Sequence, residues 1–231
     1  MTNMQDPEGI TCPVEFIITG FGPFQNAREN PSTSLANEIV AYLQENSSSV
    51  FILETRIIET SADSARQEVA DLYKNNDVGL SPIVVLHIGV NYRGKKFQLE
   101  KCAYNDATFR IPDENGYQPK GETVCDHYEW GTLLKSTLDL PIIVSTLNDW
   151  MESKSNPARA ICSENPGRFV CNFTYFCSLD RCTSDNRGKF HCLFLHIPPF
   201  SEVKKEFQLS FLSQLLNEIQ LQIVEKSMTN E

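Results

Sequence analysis

Short, nearly continuous apolar runs recur along the chain and predict buried β-strands. These runs cover residues 16–19, 51–58, 83–88, 142–146 and 192–197, and β-branched residues are common in them. Runs of this kind are typical of strands that are buried on both faces of a parallel sheet. Segments of helical periodicity lie between several of the runs, and this alternation indicates an α/β domain.

Three segments carry the apolar spacing of amphipathic helices. The first begins at Asn30 and Pro31, which suit the N-cap and the first helical position. The second covers residues 61–74, and the third covers residues 202–226. The long apolar stripe of the third segment is expected to pack on the sheet of the same chain.

The chain has 231 residues and shows no internal repeat or linker, so we predict one catalytic domain over residues 1–231. The predicted architecture is a three-layer α/β/α sandwich with a twisted, mostly parallel mixed sheet. Residues 1–13 and 227–231 are expected to be flexible tails.

Two polar stretches, residues 113–131 and 180–189, are rich in turn-forming residues and predict long surface loops. Long loops of this kind often border functional sites. Between them, the propensity of residues 173–179 favours a strand over a helix.

The charge of the chain argues against a nucleic-acid partner. The formal net charge is -10 and the pI is about 4.9, whereas phosphate binding needs clustered Lys and Arg. No apolar run is long enough to span a bilayer, so no membrane partner is expected. The first 13 residues lack the basic and apolar regions of a signal peptide, and a cytoplasmic location is therefore expected.

Eight cysteines occur in the chain, and in a reducing cytosol they are expected to be free thiols, mostly buried. They are Cys12, Cys102, Cys125, Cys162, Cys171, Cys177, Cys182 and Cys192. A zinc-stabilised module built from Cys177, Cys182, His191 and Cys192 is an alternative, although the short-spaced cysteine pairs of zinc sites are missing.

A cysteine nucleophile needs a histidine to hold its proton and a third group to orient that histidine. His196 ends an apolar run and is followed by two prolines, and strand ends are where α/β enzymes place reactive groups. His87 lies inside an apolar run and is expected to be a core histidine. Cys171 follows a turn that contains Gly167, which could place the thiol at a helix start, where its pKa falls.

The turn over residues 20–24 follows a strand directly and reads Gly-Phe-Gly-Pro-Phe. It lacks the third glycine of a dinucleotide-binding loop, and Pro23 removes an N–H that a phosphate would need. Its two phenylalanines could form an apolar wall for a small ring, or they could simply pack in the core.

Five motifs along the chain resemble those of the pyroglutamyl peptidase I family of cysteine peptidases, and they occur in that family's order. The similar segments are residues 19–24 with 30–32, residues 99–105, residues 110–119, residues 163–179 with the core Gly-Arg-Phe-Val-Cys-Asn, and residues 195–199 with the sequence Leu-His-Ile-Pro-Pro. They extend over most of the chain, and their order makes the resemblance specific.

The resemblance implies an exopeptidase, also called an omega peptidase, that hydrolyses the bond after an N-terminal L-pyroglutamyl residue through an acyl-enzyme. It implies Cys171 as nucleophile, His196 as base, Glu100 as the orienting carboxylate, and Arg110 on the oxyanion side. The positions that match the family's pyroglutamyl-ring contacts are Phe21, Phe24, Thr60, Ile111, Phe169 and Val170. The family also places its cysteine at a helix N-terminus, needs no metal or cofactor, and takes peptides with N-terminal pyroglutamate as substrates.

Several features depart from the family pattern. Pro166 replaces a small residue, residues 90–97 carry three basic side chains that match no branch well, and residues 121–136 and 180–189 resemble insertions. A catalytically silent binder of pyroglutamyl or otherwise blocked peptide N-termini is the alternative function. The sequence leaves open whether the chain forms a homo-oligomer.

Overall fold

The structure is a computed structural model that describes residues 13–24 and 30–229. Its elements are β1 (Glu15–Phe21), α1 (Pro31–Glu45), β2 (Phe51–Ile58), α2 (Ala62–Asn75), β3 (Ile83–Val90), β4 (Phe97–Glu100), β5 (Cys102–Tyr104), β6 (Ala107–Thr108), β7 (Lys120–Glu122), β8 (Leu133–Lys135), α3 (Leu140–Ser153), β9 (Ala160–Ser163), α4 (Val170–Ser184), β10 (Phe190–Ile197) and α5 (Lys205–Thr229).

A six-stranded sheet in the order β2-β1-β3-β10-β4-β9 forms the centre of the molecule. Every neighbouring pair in it is parallel except β10 and β4, which are antiparallel. The prediction of a mostly parallel mixed sheet is therefore confirmed. Two small two-stranded sheets, β5 with β8 and β6 with β7, lie outside it.

Alternate residues of the central strands point to opposite faces and fill two separate hydrophobic clusters. In β1, Phe16 and Ile18 join the cluster that also contains the buried stripes of α1, α3 and α5. Ile17, which lies between them, joins the cluster built from α2 and α4. Helices therefore cover both faces, and the predicted three-layer architecture is confirmed.

The predicted start of α1 is confirmed in detail, because the Asn30 side chain accepts a hydrogen bond from the Ser32 N–H and Pro31 is the first helical residue. The Ser61 hydroxyl caps α2 by accepting from the Ser64 N–H. The last helix continues to Thr229, so residues 227–229 are helical. The remaining predicted tail residues, 1–12 and 230–231, lie outside the described residues.

The strand predicted over residues 142–146 is wrong, and the strand propensity of residues 173–179 gives way to the helix start at Cys171 that the resemblance implies. Residues 142–146 belong to α3, which starts after the Asp139 cap and buries Leu140, Ile143, Leu147 and Met151 as one stripe. Residues 173–179 belong to α4, which extends to Ser184 and so also replaces the first half of the loop predicted over residues 180–189. Because α4 contacts the central sheet, the neighbouring helix α2 and the small sheet of β5 and β8, its burial lacks the one-sided periodicity that marks a surface helix.

The short strands β4 and β9 of the central sheet, and the four strands of the two small sheets, have no counterpart among the predicted strands. Both β4 and β9 have four residues, and β4 alternates apolar Phe97 and Leu99 with polar Gln98 and Glu100. Within residues 13–24 and 30–229, no helix is long and apolar enough to cross a bilayer.

Candidate active site

His196 lies near the carboxyl end of β10, in the middle of the central sheet. It is 8 % exposed and is paired in register with Gly89 of the parallel strand β3. On its other side, β10 pairs with the antiparallel strand β4, where Gln98 lies opposite His196 and Glu100 lies opposite Phe194. The His196 imidazole therefore lies at the carboxyl ends of the parallel strands, where the loops that follow these strands begin.

The alternation of β4 explains why a carboxylate is buried here. Phe97 and Leu99 point into the cluster beneath α1, α3 and α5, so Gln98 and Glu100 point to the opposite face, towards α4. Glu100 is fully buried, and its Oε1 lies 2.8 Å from Nδ1 of His196. Its other carboxylate oxygen, Oε2, has no hydrogen-bond partner among the described residues.

Cys171 is the second residue of α4 and is half-buried. The turn before the helix contains Gly167 with φ of 80°, a left-handed conformation that favours glycine. Phe169 is the N-cap residue but provides no side-chain cap, and the first intrahelical hydrogen bond runs from the Phe173 N–H to the Phe169 carbonyl. The backbone N–H groups around Cys171 are therefore open to a developing negative charge.

Gly89 allows the thiol to approach the sheet. A Cβ at this position would lie 3.3 Å from Cys171 Sγ and only 2.8 Å from a ring carbon of Phe194. The Phe194 ring in turn contacts the His196 ring, with centroids 4.7 Å apart. The Cys171 thiol and the Phe194 ring thus both lie against Gly89, and the His196 ring packs on Phe194. A side chain larger than that of glycine does not fit at position 89 unless these neighbours move.

The protonation of His196 reflects its two neighbours. Burial alone lowers the pKa of His196, but hydrogen bonds and charges from Cys171 and Glu100 outweigh burial and raise the pKa to about 9. At neutral pH the His196 imidazole is therefore protonated, and the ring lies between the Cys171 thiol and the Glu100 carboxylate. This arrangement places an imidazole that can hold and give up a proton beside a thiol, as a cysteine nucleophile requires.

The side chains expected to contact a pyroglutamyl ring form two groups near this centre. Phe24 packs on Phe169 with centroids 5.1 Å apart, and Phe169 also meets Phe109 edge-on at 4.8 Å. Phe21 is buried and lies 6.1 Å from the Phe194 ring, which links it to His196. Phe169 thus packs with Phe24 and Phe109 and lies only two residues before Cys171 in the chain, which links these rings to the start of α4.

The remaining ring-contact positions lie around the same turn and helix start. The Thr60 hydroxyl donates to the Gly22 carbonyl at 3.3 Å, which ties the end of β2 to the Gly-Phe-Gly-Pro-Phe turn. Val170 is fully buried as the first residue of α4, and Ile111 is half-buried. None of the six ring-contact residues is among the described residues that line the cavity beside His196.

That cavity has a volume of about 390 Å³, and its lining includes Glu100, His196 and Arg110. Arg110 is exposed and forms no ion pair with Glu100 or Asp113 in the described part of the chain. The Asp113 carboxylate instead accepts hydrogen bonds from the backbone N–H groups of Ala62, Asn115 and Tyr117. The guanidinium of Arg110 is thus available to a molecule in the cavity.

Three buried polar residues that support the site carried no functional assignment in the sequence. Tyr175 lies one turn after Cys171 and donates its hydroxyl to the Glu100 carbonyl at 2.8 Å. The Asn172 side chain accepts from the Tyr104 N–H and donates to the Tyr104 carbonyl, which fastens the start of α4 to β5. The Asn105 side chain accepts hydrogen bonds from the N–H groups of Val124 and Cys125. It also donates to the carbonyls of Cys125, Tyr128 and Glu129, and so orders the long loop after β7. Given a helix whose first turn contains Cys171, the helical spacing of four residues is the signal that indicates Tyr175.

His87 is a core histidine, as expected. Its ring lies between the hydroxyls of Thr19 and Ser178 at 2.7 and 2.8 Å, and burial lowers its pKa to about 3. It is therefore neutral and structural.

The alternative zinc module is not assembled by the fold. In residues 13–24 and 30–229 no group of three or more His, Cys, Asp or Glu side chains is placed to hold a metal ion. Cys182 instead contacts the Tyr73 hydroxyl at 3.3 Å, and His191 contacts Thr137 at 2.8 Å.

Comparison with known proteins gives one consistent result. The family model described as pyroglutamyl peptidase matches residues 14–219. The pyroglutamyl-peptidase 1 of Rattus norvegicus is 23% identical over 211 residues, which cover 91% of each chain. The pyrrolidone-carboxylate peptidase of Bacillus subtilis is 28% identical over 187 residues, which cover 79% of this chain and 77% of the relative.

Solved structures share the fold. Pyroglutamyl peptidase I from Bacillus amyloliquefaciens superposes with a TM-score of 0.75 at 19% identity, covering 90% of this chain and 97% of its own. The pyrrolidone carboxyl peptidase from Thermococcus litoralis gives a TM-score of 0.73 at 21% identity, covering 92% and 96%. With a family match over most of its length and the same α/β fold, this chain belongs to the pyroglutamyl peptidase family.

Proposed function

We propose that this chain is a cysteine exopeptidase that removes an N-terminal L-pyroglutamyl residue from peptides, with Cys171, His196 and Glu100 as its catalytic residues. The observation that carries the proposal is the position of the His196 ring, which hydrogen-bonds the buried Glu100 carboxylate at 2.8 Å and also the Cys171 thiol at the start of α4. Membership of the family supports the same activity. A binder would have no need for an imidazole that is charged by a thiol and a buried carboxylate.

The proposed substrate suits an apolar slot. Pyroglutamate is a neutral five-membered lactam, so its pocket needs aromatic walls and a few backbone hydrogen bonds rather than a carboxylate anchor. Phe24 and Phe169, with Phe21 nearby, provide such walls. An uncyclised glutamyl N-terminus would bring an unpaired ammonium into this slot, which costs several kcal/mol.

The first chemical step is acylation. The Cys171 thiolate attacks the pyroglutamyl carbonyl carbon, and the oxyanion that forms accepts hydrogen bonds from the Cys171 N–H and from donors near Arg110. His196 then transfers its Nε2 proton to the leaving amine as the C–N bond breaks. The product of this step is a pyroglutamyl thioester on Cys171.

Deacylation uses the same groups in reverse. Neutral His196 takes a proton from water, the hydroxide attacks the thioester, and the C–S bond breaks to release pyroglutamate and the Cys171 thiolate. Glu100 holds the ring through Nδ1 and stabilises the imidazolium in both steps. Because the nucleophile must be a reduced thiol, we place the activity in the cytosol.

The test is release of fluorophore from a pyroglutamyl-coumarin amide under reducing conditions. The matched control substrate is the glutamyl-coumarin amide, which differs in its open, charged N-terminus. Turnover of the first substrate alone is expected. Tight binding of a pyroglutamyl peptide in calorimetry without any release would reject the peptidase and favour the silent binder.

A further inference from the structure

Two arginines line the cavity that opens beside His196. Arg93 comes from the turn after β3, and Arg110 comes from the segment after β6. Both side chains are exposed, and neither takes part in an ion pair within the described part of the chain. Two guanidinium groups in one concave site, neither with an ion-pair partner among the described residues, form an anion-binding arrangement.

The turn that carries Arg93 is built into the sheet edge. The Asn91 N–H donates to the Ile197 carbonyl at 2.9 Å, which joins the turn to the residue that follows His196. The Asn91 side chain accepts from the Arg93 N–H at 3.1 Å and donates to Gln98 at 2.6 Å. A Cβ at Gly94 would lie 2.8 Å from the Asn91 side chain, so the turn also depends on this glycine. Arg93 is therefore held at the rim rather than on a loose loop.

The charge inside the cavity is positive on balance. Glu100 is the one carboxylate in the described lining, and it is matched by the protonated His196. Acidic groups close in the chain to the lining are engaged elsewhere: Glu164 pairs with Lys101, Asp106 pairs with Arg168, and the Asp113 carboxylate accepts from three backbone N–H groups. The positive charge of this cavity is opposite in sign to the net charge of the chain, which is -10.

The position of the cavity identifies the part of the substrate that would enter it. In the proposed mechanism His196 protonates the leaving amine, so the residue after the pyroglutamyl group departs from the His196 side of the thiol. The pyroglutamyl ring occupies the aromatic slot, whose six predicted contact residues do not line this cavity. The cavity therefore faces the first residue of the leaving peptide.

We infer that Arg93 and Arg110 form a carboxylate subsite for the residue that follows pyroglutamate. The inference rests on the proposed function and adds a substrate preference to it. The carboxylate has two sources: an Asp or Glu side chain at that residue, or the free C-terminus of a pyroglutamyl dipeptide. Either one can form charge-assisted hydrogen bonds with a guanidinium.

The experiment compares kcat/KM for two matched pairs of substrates. The first pair is pyroglutamyl-glutamic acid α-amide and pyroglutamyl-glutamine α-amide, which differ in the side-chain charge. The second pair is pyroglutamyl-alanine and pyroglutamyl-alaninamide, which differ in the terminal charge. We expect the charged member of at least one pair to be preferred roughly three- to tenfold, mainly through KM, as for partly exposed ion pairs.

The Arg93→Gln variant removes one of the two charges at an exposed position and is expected to bring the preference to within about twofold of unity. Lys96→Gln is the matched control, since Lys96 is an exposed cation of the same segment that does not line the cavity. The preference is expected to persist in Lys96→Gln. In the wild type it is expected to weaken between low and high salt, because exposed charges are screened.

The outcomes distinguish failure of the carboxylate subsite from failure of the proposed peptidase activity. Cleavage of all four substrates with ratios near one in both pairs would overturn the carboxylate subsite and leave the peptidase intact. A preference that survives undiminished in Arg93→Gln would also overturn it, whatever the result in Lys96→Gln. Failure to cleave any of the four, the neutral ones included, would reject the proposed function itself.

Discussion

Nδ1 of His196 lies 2.8 Å from Oε1 of Glu100, and the two residues come from adjacent antiparallel strands. Glu100 is fully buried, so the contact is shielded from solvent. The register of β10 against β4 fixes the two side chains on the same face of the sheet, beneath the start of α4. The orientation of the imidazole is therefore set by strand pairing rather than by a loop.

Replacement of Glu100 by Gln is expected to lower kcat by about 10³- to 10⁴-fold, as for removal of the carboxylate from other catalytic triads. Gln keeps the size of the side chain but removes the charge that stabilises the imidazolium. The measurement is steady-state turnover of the pyroglutamyl-coumarin amide. Glu164→Gln is the control, because this exposed carboxylate pairs with Lys101 and should leave kcat within about twofold. Glu100→Gln activity equal to that of the control would argue against the assigned role.

The pH dependence of kcat/KM is expected to show a descending limb near pH 9. Below this pH His196 is protonated and can donate to the leaving amine, because Cys171 and Glu100 raise its pKa to about 9 against the effect of burial. Above it the proton is lost and acylation slows. In Glu100→Gln the limb should move to lower pH, since one raising contribution is gone. An unchanged limb in that variant would contradict the coupling.

Substitution of Gly89 by Ala is expected to disturb the thiol and the ring of Phe194 together. The added Cβ would lie 2.8 Å from Phe194 and 3.3 Å from Cys171 Sγ, so both must shift. We expect a loss of about 1–3 kcal/mol in the free energy of unfolding and a slower alkylation of Cys171 by iodoacetamide.

Gly20→Ala provides the comparison for this test, because its Cβ would meet backbone atoms of Ser32 and not the thiol. It should lower the free energy of unfolding without changing the alkylation rate of the folded protein. Equal alkylation rates in Gly89→Ala and the wild type would show that Gly89 does not position the sulfur.

The hydrogen bond from the Tyr175 hydroxyl to the Glu100 carbonyl is expected to stabilise the folded protein. Tyr175→Phe removes the buried hydrogen bond to the Glu100 carbonyl, at a cost of about 1–2 kcal/mol in the free energy of unfolding measured in urea. Tyr117→Phe is the matched control, since its hydroxyl bonds Glu122 at an exposed position and should change stability by less than about 0.5 kcal/mol. Similar losses in the two variants would refute a special contribution of Tyr175.

Much of the fold could be predicted because local signals agreed with the tertiary structure. Asn30 and Pro31 mark the start of α1, and the apolar runs of β1, β3 and β10 reflect strands covered on both faces. The errors occur where burial hides periodicity. α4 is covered by the central sheet, by α2 and by β5 and β8, and its aromatic residues have the composition of a strand.

The site was harder to predict because its residues meet only in three dimensions. Glu100 lies in a four-residue strand with too little pattern to predict, and its burial depends on the alternation that sends Leu99 into the opposite cluster. Residue chemistry alone could not choose Cys171 from eight cysteines, and the resemblance to a family supplied that choice. The position of His196 at a strand end was the part that the local pattern indicated.

The most direct test of the account is the turnover of pyroglutamyl-coumarin amide by Cys171→Ala beside Cys162→Ala. Cys162 is a half-buried, free thiol of β9 with no assigned role, so it controls for the loss of a cysteine. The account predicts that Cys171→Ala remains folded but releases no fluorophore above the uncatalysed rate, while Cys162→Ala retains wild-type kcat. Substantial turnover by Cys171→Ala would contradict the assignment of the nucleophile.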